Sequence, residues 1–424
     1  MLAPVGALPF IFGGVTATET VVAFAFLLLL AALSVAFGLA ISSKMASLRA
    51  AIVVTLLLIF PISIAAYSAF GFGLGSVAHD TWPGISEVSP VWLPVAYARA
   101  PFSVDYVIFL VLFPIALIAL PAWFLYEATI ASLTSITDDR STGLKRWFLF
   151  TAPTLTIAVA ALVLDTKPSR QQSAALLGLS ALSLFFAFCV FLFVGDPLGP
   201  SRRVVVNWKR TRAGRLRRAL GPGLARSAWL LLAVGLPALV SLTVTCVAAL
   251  RGRPSSEGEM VVVLGAYAAA FFTFTVGLGA LLRARSSSAL LARVLLLGVL
   301  FAVAVGPWVI AAVAGLVEGR TSGGHALIIA APSPFYAFAL IANWHHHLEQ
   351  EVAAALISIA FWTMLGLVLL LIAQRRAARA IAQHEVALAE TDRILAAEDA
   401  ATARALNAPP DAATPASAPS PEAP

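Results

Sequence analysis

A 424-residue chain that is 60% hydrophobic and only 12% charged has too little polar surface to coat a soluble globule. Its mean hydropathy of +0.92 places it in the membrane class. The formal net charge of +7 rests mostly on arginine, in short bursts between apolar runs. A nucleic-acid binder gathers its cations on one folded face, so that class is excluded and the bursts read as membrane-orientation signals.

In chain order, residues 1–18 contain no Lys or Arg, so the positive region of a cleavable signal is missing. This stretch is expected to be an external segment before a retained helix. A helix crossing ~30 Å of hydrocarbon needs about 20 apolar residues. Nine runs qualify: Val21–Ile41, Ala50–Phe70, Tyr106–Ile130, Trp147–Leu164, Ala174–Val194, Ala228–Leu250, Met260–Leu282, Val294–Leu316 and Val352–Ala373. Cys189 and Cys246 each lie inside one of them, as buried reduced thiols do. Each odd-numbered run ends in a basic loop, whereas the long alternate loops 72–105 and 317–351 are nearly free of Lys and Arg. Positive-inside then predicts an external N-terminus and a cytoplasmic C-terminus, which an odd number of spans also requires. The expected fold is an all-α integral membrane protein of about nine transmembrane helices. Alternating strands are absent, which argues against an outer-membrane barrel, and the expected location is the bacterial inner membrane.

A three-helix unit recurs. Glu19-Thr-Val-Val22 opens the first helix and Glu259-Met-Val-Val262 the seventh; glycines follow near each basic end, Gly38 in one and Gly277 or Gly279 in the other. Serine-containing basic hinges come next, then helices carrying Pro61 and Pro307, then the Ser-Pro segments Ser89–Tyr97 and Ser333–Leu340. Both copies run in the same direction, so the repeat is parallel. The expected organisation is a first membrane unit at 19–130 and a turn with two connecting helices at 131–200. A basic segment and the sixth helix occupy 201–250, and the second membrane unit 251–374. A charged helix follows at 375–407, with Ile381, Leu388 and Leu395 spaced by heptads, and a disordered Pro/Ala tail at 408–424.

Serine is a good N-cap and proline suits the first helical turn, so Ser89-Pro90 with Trp92, and Ser333-Pro334 with Phe335 and Tyr336, each predict a short helix. It either re-enters the membrane or lies in an aromatic interfacial belt. No Gly-Lys pair occurs anywhere, which excludes a Walker A loop, and no metalloprotease, Cys-x-x-Cys or nucleophile-elbow motif is present. No catalytic residue, cofactor or metal is therefore expected, and the chain reads as a non-enzyme. Glu127 is the main charge within the apolar runs, near the end of its helix. His345, His346 and His347 are dense enough to bind a transition metal or sense pH, but adjacent histidines diverge on a helix, and a solvated loop fits them better. Residues 201–226 hold nine Lys or Arg and no acid. Three readings stay open: an amphipathic helix on anionic headgroups, a docking face for an acidic partner, or topology determination alone.

The paired glycine- and serine-containing helices with basic hinges and the Ser-Pro external segments resemble the ABC-2-type permease subunits of ABC exporters. So does the arginine cluster Ala373-Gln-Arg-Arg-Ala-Ala-Arg379 that ends the last span. The resemblance covers mainly residues 200–380, with a partial second copy at 19–130. It implies an ATP-driven exporter whose separate nucleotide-binding subunit docks at cytoplasmic turns. The candidate docking residues are Asp138, Asp139, Arg140, Arg202, Arg203, Lys209, Arg210, Arg212 and Arg215. It implies bending at Pro61, Pro114, Pro237 and Pro307, and is compatible with a homo- or hetero-dimer. Nine helices with an external N-terminus depart from that family's usual six with both ends inside. The competing classes are a membrane enzyme acting on a lipid-linked substrate, with His79, Asp80, Glu87 and Asp105 as its external polar residues, and a non-catalytic scaffold.

Overall fold

The computed structural model describes residues 17–45, 47–68, 113–135, 138–212, 214–286, 288–318, 328–344 and 349–407. Helices dominate the described residues. Among the described residues there is no strand, and the helices are α1 (Ala17–Ser42), α2 (Leu48–Ser68), α3 (Phe113–Leu133), α4 (Thr142–Asp165), α5 (Pro168–Phe193), α6 (Arg202–Arg210), α7 (Arg215–Ala219), α8 (Leu224–Ala249), α9 (Ser255–Arg285), α10 (Ala289–Glu318), α11 (Tyr336–Ala342) and α12 (Glu349–Asn407). Six of these, α4, α5, α8, α9, α10 and α12, are long and apolar enough to cross a membrane. Shorter apolar helical stretches lie at Ala31–Ser42, Leu48–Ile59 and Ile118–Leu133. These are the marks of a helical membrane protein.

Two compact units divide the chain, Met1–Gln374 and Arg375–Pro424. In the first, α9 is the central helix. Two thirds of its most apolar stretch is buried (67%), against 6% for α10. It packs on α5, α8, α10 and the short α11, while α4 packs on α5 and α8. Side chains of α10 such as Val294, Leu297, Phe301 and Val309 are more than half exposed. Water does not tolerate an apolar face of that extent, whereas lipid does. Among the first helices, α1 packs against α3 and α2, and α3 reaches α4.

Lipid is as apolar as leucine, so close packing takes over the role that the hydrophobic effect plays in water. A Cβ on Gly277 of α9 would collide with the carbonyl of Gly366 in α12, and one on Gly366 would lie 2.6 Å from the Phe274 amide nitrogen. The two backbones touch because both positions lack a side chain. On the other face of α9, Phe272 stacks 5.2 Å from Phe186 in the space left by Gly235 of α8. Phe148 joins α4 to this layer, 6.2 Å from Phe186 and 5.7 Å from Phe193.

The basic segment, for which one open reading was an amphipathic helix, forms two short helices. Arg212 takes a left-handed φ of 46°, Gly214 follows, and the Thr211 hydroxyl bonds back to the Asn207 carbonyl. Each feature favours a break. In the second unit, the portion of α12 after Gln374 is helical to Asn407, with most side chains exposed, including Val386, Ile394 and Leu395.

Candidate functional site

The described polar chemistry concentrates where α4, α8 and α10 begin and α5 and α9 end, the arginine-rich end of the bundle. Lys145 lies in the first turns of α4 and has no exposure to water. Its Nζ sits 2.8 Å from Oδ2 of Asp196, in the loop just after α5, and donates to the Gly221 carbonyl at 2.8 Å. Asp196 is also buried and accepts from the Ser227 hydroxyl in the first turn of α8. Its carboxylate thus lies at the N-terminal turns of two helices, where the peptide dipoles favour negative charge. Moving both charges out of water is expensive, and only the direct pair with its extra hydrogen bonds offsets that penalty.

Two arginines complete the cluster. Arg283 of α9 donates from Nε to the Asp196 carbonyl at 3.0 Å. Arg293 of α10 donates to the carbonyls of Phe191 at 3.2 Å and Leu192 at 3.1 Å. The last carbonyls of a helix lack partners further along it, so the Arg293 guanidinium caps α5 and matches its negative end, while Arg283 holds the loop that follows. Five membrane-length elements are therefore joined at one polar node.

The sequence-derived candidates fall around this node. Asp139 caps α4, accepting from the Thr142 amide at 3.1 Å and the Thr142 hydroxyl at 2.5 Å. Arg140 donates to the Thr134 and Ser135 carbonyls at the end of α3. Asp138 pairs with Arg203 of α6 at 3.2 Å, joining two candidate segments distant in sequence. Arg202, Lys209, Arg210, Arg212 and Arg215 are exposed along α6 and α7. α6 is held down by Val204 and Trp208, which are buried, whereas α7 has no buried side chain. Trp208 packs on Gly221, under the Arg226 guanidinium 5.0 Å from its ring centroid. Glu127 accepts from Trp123 Nε1 at 3.1 Å and lies against Gly143 in the first turn of α4.

Away from this node, Ser333 and Tyr336 of the second Ser-Pro segment are buried. Ser333 Oγ donates to the Ala304 carbonyl at 2.7 Å and accepts from Trp308 Nε1 at 3.0 Å. Trp362 Nε1 donates to the Pro332 carbonyl at 2.8 Å, the Tyr267 hydroxyl to Ala331 at 3.1 Å, and the Tyr336 hydroxyl to the Glu351 carbonyl at 3.3 Å. The helix starts later than the Ser-Pro rule implies. Phe335, half exposed, is the N-cap residue of α11, because the Ser333 hydroxyl is already taken by α10 and accepts from the Phe335 amide at 3.2 Å. Pro334 precedes the helix instead of opening it.

Ser89, Pro90 and Trp92, the external residues His79, Asp80, Glu87 and Asp105, and His345, His346 and His347 lie outside the described residues. Among the described residues no three His, Cys, Asp or Glu are grouped to hold a metal.

Sequence reasoning assigned Lys145 to a loop and passed over Asp196. One signal was available: Asp196 is the only acidic residue between Asp165 and Glu257, and it follows an apolar run directly. A lone acid so placed among cations needs a partner.

Compared with protein-family models, curated proteins and solved structures, the chain matches none.

Proposed function

We propose that this chain is the membrane-spanning permease subunit of an ATP-driven exporter, energised by a separate nucleotide-binding subunit. The observation that carries the reading is the junction of the 138–140 turn with α6 through Asp138 and Arg203, in the same turn that leads into Lys145 and its pair with Asp196. A partner bound at that junction grips the start of α4 through the Asp139 cap. From there the buried ion pair passes displacement to α5 and α8, and the arginine caps pass it to α9 and α10.

In this reading the arginine-rich end is cytoplasmic, the chain crosses the inner membrane nine times, and the N-terminus is external. The turn 138–140 with Arg202 and Arg203 is the docking face. The chain lacks a phosphate-binding loop of its own, so ATP hydrolysis belongs to the partner. Helix bending on each cycle falls at internal prolines, Pro237 in α8 and Pro307 in α10, where a backbone hydrogen bond is missing. The tightly crossed pair α9 and α12 moves as one piece, because its glycine contact leaves no room for sliding.

Affinity purification of the tagged full-length chain in mild detergent, with mass spectrometry of what accompanies it, tests the proposal. A stoichiometric subunit with ATPase activity is expected. Its absence across several detergents would overturn the permease reading.

A further inference from the structure

The cations beyond the docking junction form a surface of their own. Lys209 and Arg210 end α6, Arg212 sits in the break, and Arg215, Arg217 and Arg218 lie on α7; all six are exposed. No acidic residue occurs in the chain between Asp196 and Glu257, so this stretch carries no carboxylate to neutralise them. Five of the six are arginines, whose planar fork matches the oxygens of a phosphate.

The position of this surface is fixed. The segment leaves the end of α5 and returns at the start of α8, both long and apolar enough to cross a membrane. The Leu224 amide donates to the Leu198 carbonyl at 3.3 Å, closing the two ends together. Lys145 holds the Gly221 carbonyl at 2.8 Å, and Trp208 is clamped against Gly221. The cations are therefore tethered to the adjacent ends of two membrane-length helices, and charges within a Debye length, about 8 Å, of anionic headgroups are attracted to them. Val206 (56% exposed) and Leu216 (69% exposed) stand among them. Apolar side chains interleaved with arginine at that depth suit the boundary between headgroup and acyl chain.

We infer that residues 209–218 are a binding surface for the headgroup phosphates of anionic phospholipids in the leaflet on which they lie. The segment is tied to the ends of two membrane-length helices, and a lipid surface there takes the apolar side chains of Val206 and Leu216 at its acyl boundary and the cations at its phosphates. This site needs no nucleotide and no partner subunit, so its success or failure is separate from that of the transport reading.

The full-length protein is reconstituted into nanodiscs of mixed phosphatidylcholine and phosphatidylglycerol, re-extracted in mild detergent, and its retained lipid quantified by mass spectrometry. Native protein is expected to retain phosphatidylglycerol in preference to phosphatidylcholine. The variant K209Q/R210Q/R212Q/R215Q/R217Q/R218Q is expected to lose that preference by roughly ten-fold, since several cations act together. All six side chains are exposed, so elution volume and thermal unfolding are expected to match native protein. The lysine variant R210K/R212K/R215K/R217K/R218K, which keeps the charge, is expected to retain most of the preference. The tail variant R375Q/R376Q/R379Q is expected to leave it unchanged. Equal retention in the native and six-fold variants would overturn the inference, and so would equal loss in the tail variant. Capture of a soluble acidic protein by these residues with no change in retained lipid would also overturn it.

Discussion

Lys145 and Asp196 define the chemistry at the residue scale. An ammonium with no exposure to water is stable only beside its carboxylate, so removing one partner leaves an uncompensated buried charge. Lys145→Met and Asp196→Asn are each expected to lower stability by about 3–5 kcal/mol, read as a large fall in unfolding temperature in detergent. The double variant K145M/D196L, apolar on both sides, is expected to recover most of the loss. Additive losses would show that the two groups act separately. Lys145 was hard to read because it lies in the dense polar run from Asp138 to Arg146, which has the composition of a loop. The Asp139 cap starts α4 inside that run, at Thr142, and so carries Lys145 into the core. Arg283 and Arg293 were legible as basic residues at a helix end, but their bonds to the end of α5 and the loop after it depend on a neighbour that spacing does not reveal.

Hydropathy located the elements well, because a stretch that must exclude backbone polar groups from lipid has few alternatives to a helix. Each of the nine apolar runs overlaps a helix of the structure. Local geometry was less legible. Whether Ser333 caps a helix depended on Ala304 and Trp308, residues of another element. Trp362→Phe, which removes the indole donor to Pro332, is expected to destabilise by about 1 kcal/mol, against no effect if water replaces the carbonyl's partner. The matched glycines of the proposed repeat also differ in environment. Gly277 touches the Gly366 backbone, whereas a Cβ at Gly38 meets nothing within 4 Å. Gly277→Val is expected to destabilise by roughly 1–3 kcal/mol through overpacking. Gly298→Val, at a position with open space in α10, is expected to change stability little. Equal effects at the two sites in thermal unfolding would contradict the close crossing of α9 and α12.

For the whole molecule, composition alone carried the membrane assignment, because no arrangement of 12% charged residues covers a soluble surface of this length. The proposed docking face was legible only as two separate charged segments. Their meeting at Asp138 and Arg203 is a product of the fold, which brings the start of α4 beside α6. An odd number of crossings places the chain's ends on opposite faces, so tags at the N- and C-termini are expected to differ in protease accessibility in sealed vesicles; equal accessibility would contradict nine crossings. The most direct test of the account exchanges the charges at the junction. D138R and R203D are each expected to reduce recovery of the ATP-hydrolysing subunit, and the double variant D138R/R203D to restore it. Undiminished recovery in both single variants would contradict docking at this junction, and the Lys145–Asp196 node would then be a structural clamp alone.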